Sequence, residues 1–334
     1  MTDKLNRFGL GARFVPASEL SEVDLGPLKQ FVGEWESVVD GTTAGTTASG
    51  WNFISVPGIK PSFIFEIIPY REDLKFSAVA VQAGNRGPVI NGNQIEQEIF
   101  GLFYEQQVTS VCNTPFCDER GFSAGTVIHA ETGMFLNVTN VNGGFNIARL
   151  STIPHGNAVL ALGGSTVSAD PGTTFFPPAS TLPFNLDGSP ITNLLGYNEI
   201  ITLDPEFAGV INHTDPNTFL QGSLQSVVGT GSVTTMTTLD MTTNTPDASA
   251  GILNIPFIDT NVKASKMDAI FWLEEITGGS ESELLQYTQT INLVFPPTGT
   301  ATPIVWPHIT INTLKRKSVI NSLLHGSRGG VPQL

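Results

Sequence analysis

Five histidines are spread along the chain: His129, His155, His213, His308 and His325. None forms a His-x-x-x-His pair or the Cys/His spacing of a zinc site. Two of them carry a context. His308 lies in Trp306-Pro307-His308-Ile309-Thr310-Ile311, near the start of an alternating segment. Period two puts Ile304, Trp306 and His308 on one face. An imidazole on such a face is either a hydrogen-bonded core histidine or a ligand to a buried metal. His155 follows the alternating set Phe145, Ile147, Arg149, Ser151 and Ile153. That set reads as inward-facing. An inward Arg149 must meet an anion, because an unpaired buried charge is costly. Pro154 ends the strand and Gly156 permits a tight loop, so His155 stands either on a solvated rim or over the interior.

Other chemistry is thin. Gly121-Phe122-Ser123-Ala124-Gly125 matches the letters of a nucleophile elbow, which needs a strand before it and a helix after it. Here a polar run precedes and a strand-like run follows, so a glycine-rich turn is the better reading. A Walker A loop and a complete Gly-x-Gly-x-x-Gly are absent. Cys112 and Cys117 are the only cysteines. Two cysteines cannot build a structural zinc site alone, and four intervening residues do not make a Cys-x-x-Cys redox pair. The expectation is two free thiols, with a local disulfide as the alternative.

These residues need a frame, and composition bounds it. The chain has 334 residues, of which 14% are charged and 40% hydrophobic. Soluble domains usually carry about 25% charge, so a large apolar core and many neutral polar residues are implied. With 34 Gly and 22 Pro, turns are frequent. That mix favours β-structure over a helical bundle. A net charge of −14 makes nucleic acid an improbable partner. The one basic cluster, Lys315-Arg316-Lys317, reads as a solvated strand end. No apolar run is long enough to span a membrane, and residues 1–20 lack the apolar core of a signal peptide. A soluble cytoplasmic protein is the default expectation.

Along the chain, residues 1–26 form a polar lead-in. Pro27 opens a short helix in which Leu28, Phe31 and Val32 share a face and Gly33 ends the turn. Strands are expected at 63–68, 74–81, 97–106, 125–130, 134–141 and 145–152, and again at 267–276, 284–295 and 304–315. Asn91-Gly92-Asn93 and Asn142-Gly143-Gly144 are hairpin turns. Residues 169–190 read as a long loop, and 221–251 as one or two strands. The pattern predicts a mostly β fold: a single antiparallel β-barrel over 27–317, with a short N-terminal helix, a loop-rich insertion around 157–260 and a tail at 318–334. Closure removes exposed sheet edges.

Two separated pieces resemble the nitrobindin group of haem-binding β-barrels, related in shape to fatty-acid-binding proteins and lipocalins. One runs from Pro27-Leu28 through Phe31-Val32-Gly33-Glu34-Trp35-Glu36, similar to that group's helix and Gly-x-Trp-x-Gly stretch, with Ser37 in place of the second Gly. The other, Met267 to Lys317, has the same order of strand, turn, strand, loop and a Pro-His step into a last alternating strand. The strings Gly50-Trp51-Asn52-Phe53-Ile54 and Ile153-Pro154-His155-Gly156 also suit larger peroxidase-like barrels of this type. The resemblance covers about a quarter of the chain. It implies haem b (iron protoporphyrin IX), with His308 as iron ligand and Trp306, Trp35 and Arg149 as further cofactor contacts. A single histidine ligand leaves an iron position open to peroxide or nitric oxide. His155 as proton shuttle and Arg149 as cation would make peroxide cleavage the expected reaction. Arg149 could instead pair with a haem propionate. The rival expectations are a haem carrier or gas-binding protein without turnover, and a lipocalin-like carrier of an apolar molecule without metal.

Overall fold

The computed structural model describes residues 24–39, 48–57, 63–79, 85–97, 99–139, 145–153, 156–191, 207, 209–256, 262–295 and 302–317. A 3₁₀ helix, Gly26–Phe31, leads into β1 (Gly33–Ser37), β2 (Gly50–Pro57) and β3 (Phe63–Val79). β4 (Asn85–Ile90) and β5 (Asn93–Gln97) form a separate hairpin. Asn91 and Gly92 both hold positive φ at its turn, as the Asn-Gly signal requires. β6 (Ile99–Ser110), α1 (Pro115–Arg120), β7 (Val127–Val138), β8 (Ile147–Ile153) and β9 (Asn157–Ala169) follow. Next come β10 (Phe184–Asn185), α2 (Asn217–Val228), β11 (Ser232–Thr242) and β12 (Gly251–Asn254). The chain then makes β13 (Lys263–Thr277), β14 (Glu283–Phe295) and β15 (Ile304–Arg316).

The ring order is β15-β14-β13-β11-β9-β8-β7-β6-β3-β2, and β2 pairs back onto β15. This is a closed ten-strand antiparallel barrel, as the strand pattern predicts. β1 and β2 share one place in the ring. Trp35 of β1 lies opposite Arg316 and Leu74, and Trp51 of β2 opposite Ile311 and Pro69. β12 likewise continues the place of β11 beside β9.

Several expected breaks are continuous. β3 joins the segments at 63–68 and 74–81 through Pro69. Val111 donates to the Pro69 carbonyl at 3.0 Å, so the Pro69 nitrogen faces the same side, where β6 has ended at Ser110. Little ladder bonding is lost there, which is why proline is tolerated. β7 runs unbroken through Gly133, where an added Cβ would lie 2.1 Å from the Leu150 carbonyl and 2.7 Å from the Tyr104 ring. The middle of the chain differs most from its expected form. β9, β11 and β12 come from within 157–260, so two places in the ring are built from what reads as a loop-rich insertion.

One end of the barrel is plugged. Leu28 and Phe31 of the 3₁₀ helix are buried and pack with Trp35, Phe76, Phe100, Tyr104, Phe135 and Phe271. Arg316 fastens the plug. It donates to the carbonyls of Gln30 (2.5 Å) and Val32 (2.8 Å), pairs with Glu283 and stacks over the Trp35 ring at 4.4 Å. Gly33 holds φ +136°, and a Cβ there would meet Arg316 at 2.7 Å. Lys315 and Lys317 pair with Glu281 and Asp73. The basic cluster is therefore a closure clamp with a solvated margin.

A second layer covers the outside of β13–β15. Gln286 and Thr288 of β14 bond the Leu220 carbonyl and Asn217 of α2, and Phe175 and Phe176 pack on Trp272. Cys112 and Cys117 correct the free-thiol expectation: they form a disulfide, their Cα atoms 6.0 Å apart. The turn into α1, capped by the Thr114 side chain on Cys117 N, brings both buried sulfurs together.

Candidate functional site

Alternation along the strands decides which side chains enter the barrel. On β15, His308, Thr310 and Asn312 face in, while Ile309 and Ile311 join the outer cluster with Trp51 and Phe53. Above the plug the interior opens into a cavity of about 660 Å³, within the ~300–1,000 Å³ usual for small-molecule and cofactor pockets. Its walls are mainly aliphatic, including Ile54, Val108, Val159, Ile252, Ile291 and Leu293. Asn52, Glu66, His129, Tyr287 and His308 are among its polar groups.

His308 is half-buried in this wall. Its Nε2 lies 2.6 Å from Asn52 Oδ1, which also accepts from the Thr310 hydroxyl at 3.2 Å. Asn52 is thus an amide oxygen placed to hold one imidazole nitrogen and set the ring's orientation. On the ring of strands, β7 stands four places from β15 by way of β2, β3 and β6. It brings a second imidazole, His129, to the opposite side of the same cavity.

Two buried polar networks form the floor. Glu72 accepts from Tyr287 (2.6 Å), Gln106 (2.7 Å) and Asn312 (2.9 Å), and the Tyr70 and Tyr287 hydroxyls meet at 2.8 Å. Burial pushes the Glu72 carboxyl above its usual range, against those three donors. In the second network, Arg149 donates to Glu131 at 2.8 Å, Gln289 at 2.6 Å and Tyr104 at 3.1 Å. Tyr104 also donates to Glu131, and His129 Nε2 lies 3.2 Å from its other oxygen. Burial is the largest single influence on the Glu131 carboxyl and would raise it, but Arg149, His129 and Tyr104 together outweigh it and the pKa falls to about 2. Arg149, 2% exposed, does face inward, and the anion it meets is Glu131.

The other sequence-derived candidates fall in different places. Trp35 belongs to the plug, its indole donating to the Phe31 carbonyl at 2.9 Å. Trp306 is buried, stacked on Phe65 with ring centroids 6.1 Å apart, in the outer cluster with Trp51 and Phe53. His155 lies outside the described residues, although Ile153 and Gly156 on either side of it line the cavity. Asn52, Glu66 and His129 carry no recognised site motif in the sequence. Two signals were present: Glu66 alternates with Ile64 and Ile68, and His129 stands two residues from Glu131 on one strand.

The cavity is apolar-walled, and one carbonyl-held imidazole stands in its side. Among the described residues no three His, Cys, Asp or Glu side chains converge as a metal site. Among the described residues no helix is long and apolar enough to cross a membrane.

No family model and no curated protein matches this chain. Among solved structures, the crystal structure of Rv2717c from M. tuberculosis aligns over 91% of this chain and 99% of its own, at 13% identity and a TM-score of 0.38.

Proposed function

We propose that the barrel binds haem b in its cavity, with His308 as the axial ligand to iron. The observation that carries this reading is the His308 imidazole, set in an aliphatic wall and oriented by Asn52. Ligating histidines are characteristically steered by a carbonyl or carboxylate at their other nitrogen. Bound iron supplies a coordination position for a small molecule such as nitric oxide or peroxide. The chain's part is to hold the ring, exclude water with Ile54, Val108, Ile291 and Leu293, and keep the floor charges paired. Arg149 is committed to Glu131, Gln289 and Tyr104, which favours a carrier or gas-binding role over turnover.

Peroxide cleavage is the second reading, and one observation favours it. His129 lines the same cavity and is oriented by the ionised Glu131, an arrangement that suits proton transfer. Haemin titration of the purified protein, followed by stopped-flow mixing with hydrogen peroxide, tests both. A Soret band with slow peroxide reaction supports the carrier reading. A fast reaction that is lost in His129→Leu, with haem retained, supports the peroxidase reading.

A further inference from the structure

β11 and β12 share one place in the ring beside β9, but only β11 is laddered to β13 on the other side. That ladder ends at Thr242 opposite Asp268, with one further bond from Thr243 N to the Met267 carbonyl at 2.9 Å. Between β12 and the first residues of β13, 263–266, no main-chain hydrogen bond joins the described residues. A bulge between Ala264 and Lys266 bends β13 here, and the extra residue, Ser265, turns its hydroxyl to the Asn292 carbonyl at 3.1 Å. One side chain joins the two strands instead. Asn254 donates to the Ala264 carbonyl at 3.1 Å and accepts from the Ala264 amide at 3.2 Å. Asn157 donates to the same Asn254 oxygen at 2.7 Å. The Asn254 amide thus stands in for a ladder pair at one end of the seam. At the other end the Thr243 hydroxyl accepts from the Met267 amide at 2.8 Å.

Both flanks of this seam line the cavity, with Asn157, Ile252 and Asn254 on one side and Val262 and Ala264 on the other. Outside it, Leu253 is 76% exposed and Ile255 44%. Parting β12 from β13 therefore opens the cavity to an apolar outer lip, and it breaks the bonds of one side chain rather than a ladder. β2 also leaves β15 beyond Phe53, but there β10 continues the main-chain pairing at Ile304 and Val305. Local opening follows the stretches of a structure with the fewest bonds to break.

We propose that the β12–β13 seam is a lateral portal to the cavity, with the Asn254 side chain as its latch. An apolar ligand meets Leu253 and Ile255 first, and passes inside once Asn254 lets go of Ala264. This deepens the cavity-binding reading. It rests on the cavity taking a ligand, not on that ligand being haem. The latch acts on rates. Asn254 holds Ala264 in the closed wall before entry and again after it, so loosening it speeds passage in both directions and leaves affinity nearly fixed. A residue that only touches the bound ligand changes mainly the rate of escape.

The test follows two probes by stopped-flow mixing: haemin, and Nile red, a neutral dye that fluoresces in apolar surroundings. Entry rate, release rate and dissociation constant are measured for each. An ordinary hydrogen bond is worth about fivefold in an equilibrium. Asn254→Ala should therefore raise entry and release together by about fivefold or more, with little change in the dissociation constant. The opposite variant, Asn254→Cys/Ala264→Cys, is joined by a short thiol-to-thiol cross-linker and checked by mass; the native cysteines are already paired with each other. Cross-linking should slow entry and release below the wild-type rates, and an unchanged dissociation constant shows that the protein is folded. Wild-type entry rates in Asn254→Ala, or rates that cross-linking leaves unchanged, overturn the portal and put entry at the end of the barrel. If Nile red follows the predicted pattern and haemin does not bind, the haem reading fails and the portal stands. If neither probe binds, both are overturned.

Discussion

The amide oxygen of Asn52 on β2 accepts from both His308 and Thr310 on β15, at 2.6 and 3.2 Å. The contact crosses the pairing that closes the barrel, where Phe53 lies opposite Ile309 and Asn52 opposite Thr310. Closure of the fold and orientation of the candidate ligand are one event. Asn52→Leu keeps the volume and removes the acceptor. It should weaken haem binding about 10–100-fold, the usual cost of losing a partner that orients a ligand. It should also cost about 1–3 kcal/mol of stability through the stranded donors. Haemin titration and urea denaturation of the variant check the two numbers separately.

The Arg149–Glu131 pair predicts a strong asymmetry between single and double variants. Arg149→Met leaves Glu131 buried without its cation and should cost about 3–5 kcal/mol. The double variant Arg149→Met/Glu131→Gln should recover most of that loss. Glu131 has a folded pKa of about 2, below its ordinary value of 4.5. Its contribution to stability is therefore present above pH 4.5 and lost as pH falls toward 2. The acid limb of the wild-type stability curve should flatten in the double variant, as read by denaturation between pH 2 and 6.

How much of this was legible beforehand follows the strength of local patterns. β8 was readable to within two residues (145–152 expected, 147–153 found), because Ile147, Arg149, Ser151 and Ile153 alternate with exposed Leu150 and Thr152. β14 and β15 were readable as apolar and β-branched runs between the turn at 278–282 and the proline-bounded loop at 296–303. β9 was not, and β11 showed only as one or two strands somewhere in 221–251. Asn157–Ala169 and Ser232–Thr242 are rich in Gly, Ser and Thr, and their inward face shows only in the barrel. The long loop and α2 cover the outside of β13–β15, so both faces of those strands are buried and parity says less there. Trp306 misled on that account: it shares the parity of His308 but stacks on Phe65 in the outer cluster.

The Cys112–Cys117 bridge closes a short loop at α1, whose Arg120 stands beside Glu66. Its removal should cost about 2 kcal/mol. Cys112→Ser/Cys117→Ser should unfold at lower urea than the oxidised wild type, and added reductant should shift only the wild type. An identical midpoint for both proteins, with the bridge confirmed by mass, would remove its structural role.

β15 pairs with β14 along eleven residues and with β1 and β2 on its other side. Truncation before Ile304 removes the strand that closes the ring and opens two edges. The shortened chain should aggregate or lose cooperative unfolding. A stable monomer with a sharp urea transition would contradict the closed ring.

The central claim is that His308 holds iron in the cavity, and a haemin titration of wild type beside His308→Ala tests it most directly. The account predicts a saturable one-to-one Soret band for wild type. In His308→Ala it predicts a shifted band and an affinity loss beyond the ~10–100-fold set by orienting partners. A wild type that gives no Soret band, or a variant with the wild-type spectrum and affinity, would contradict it.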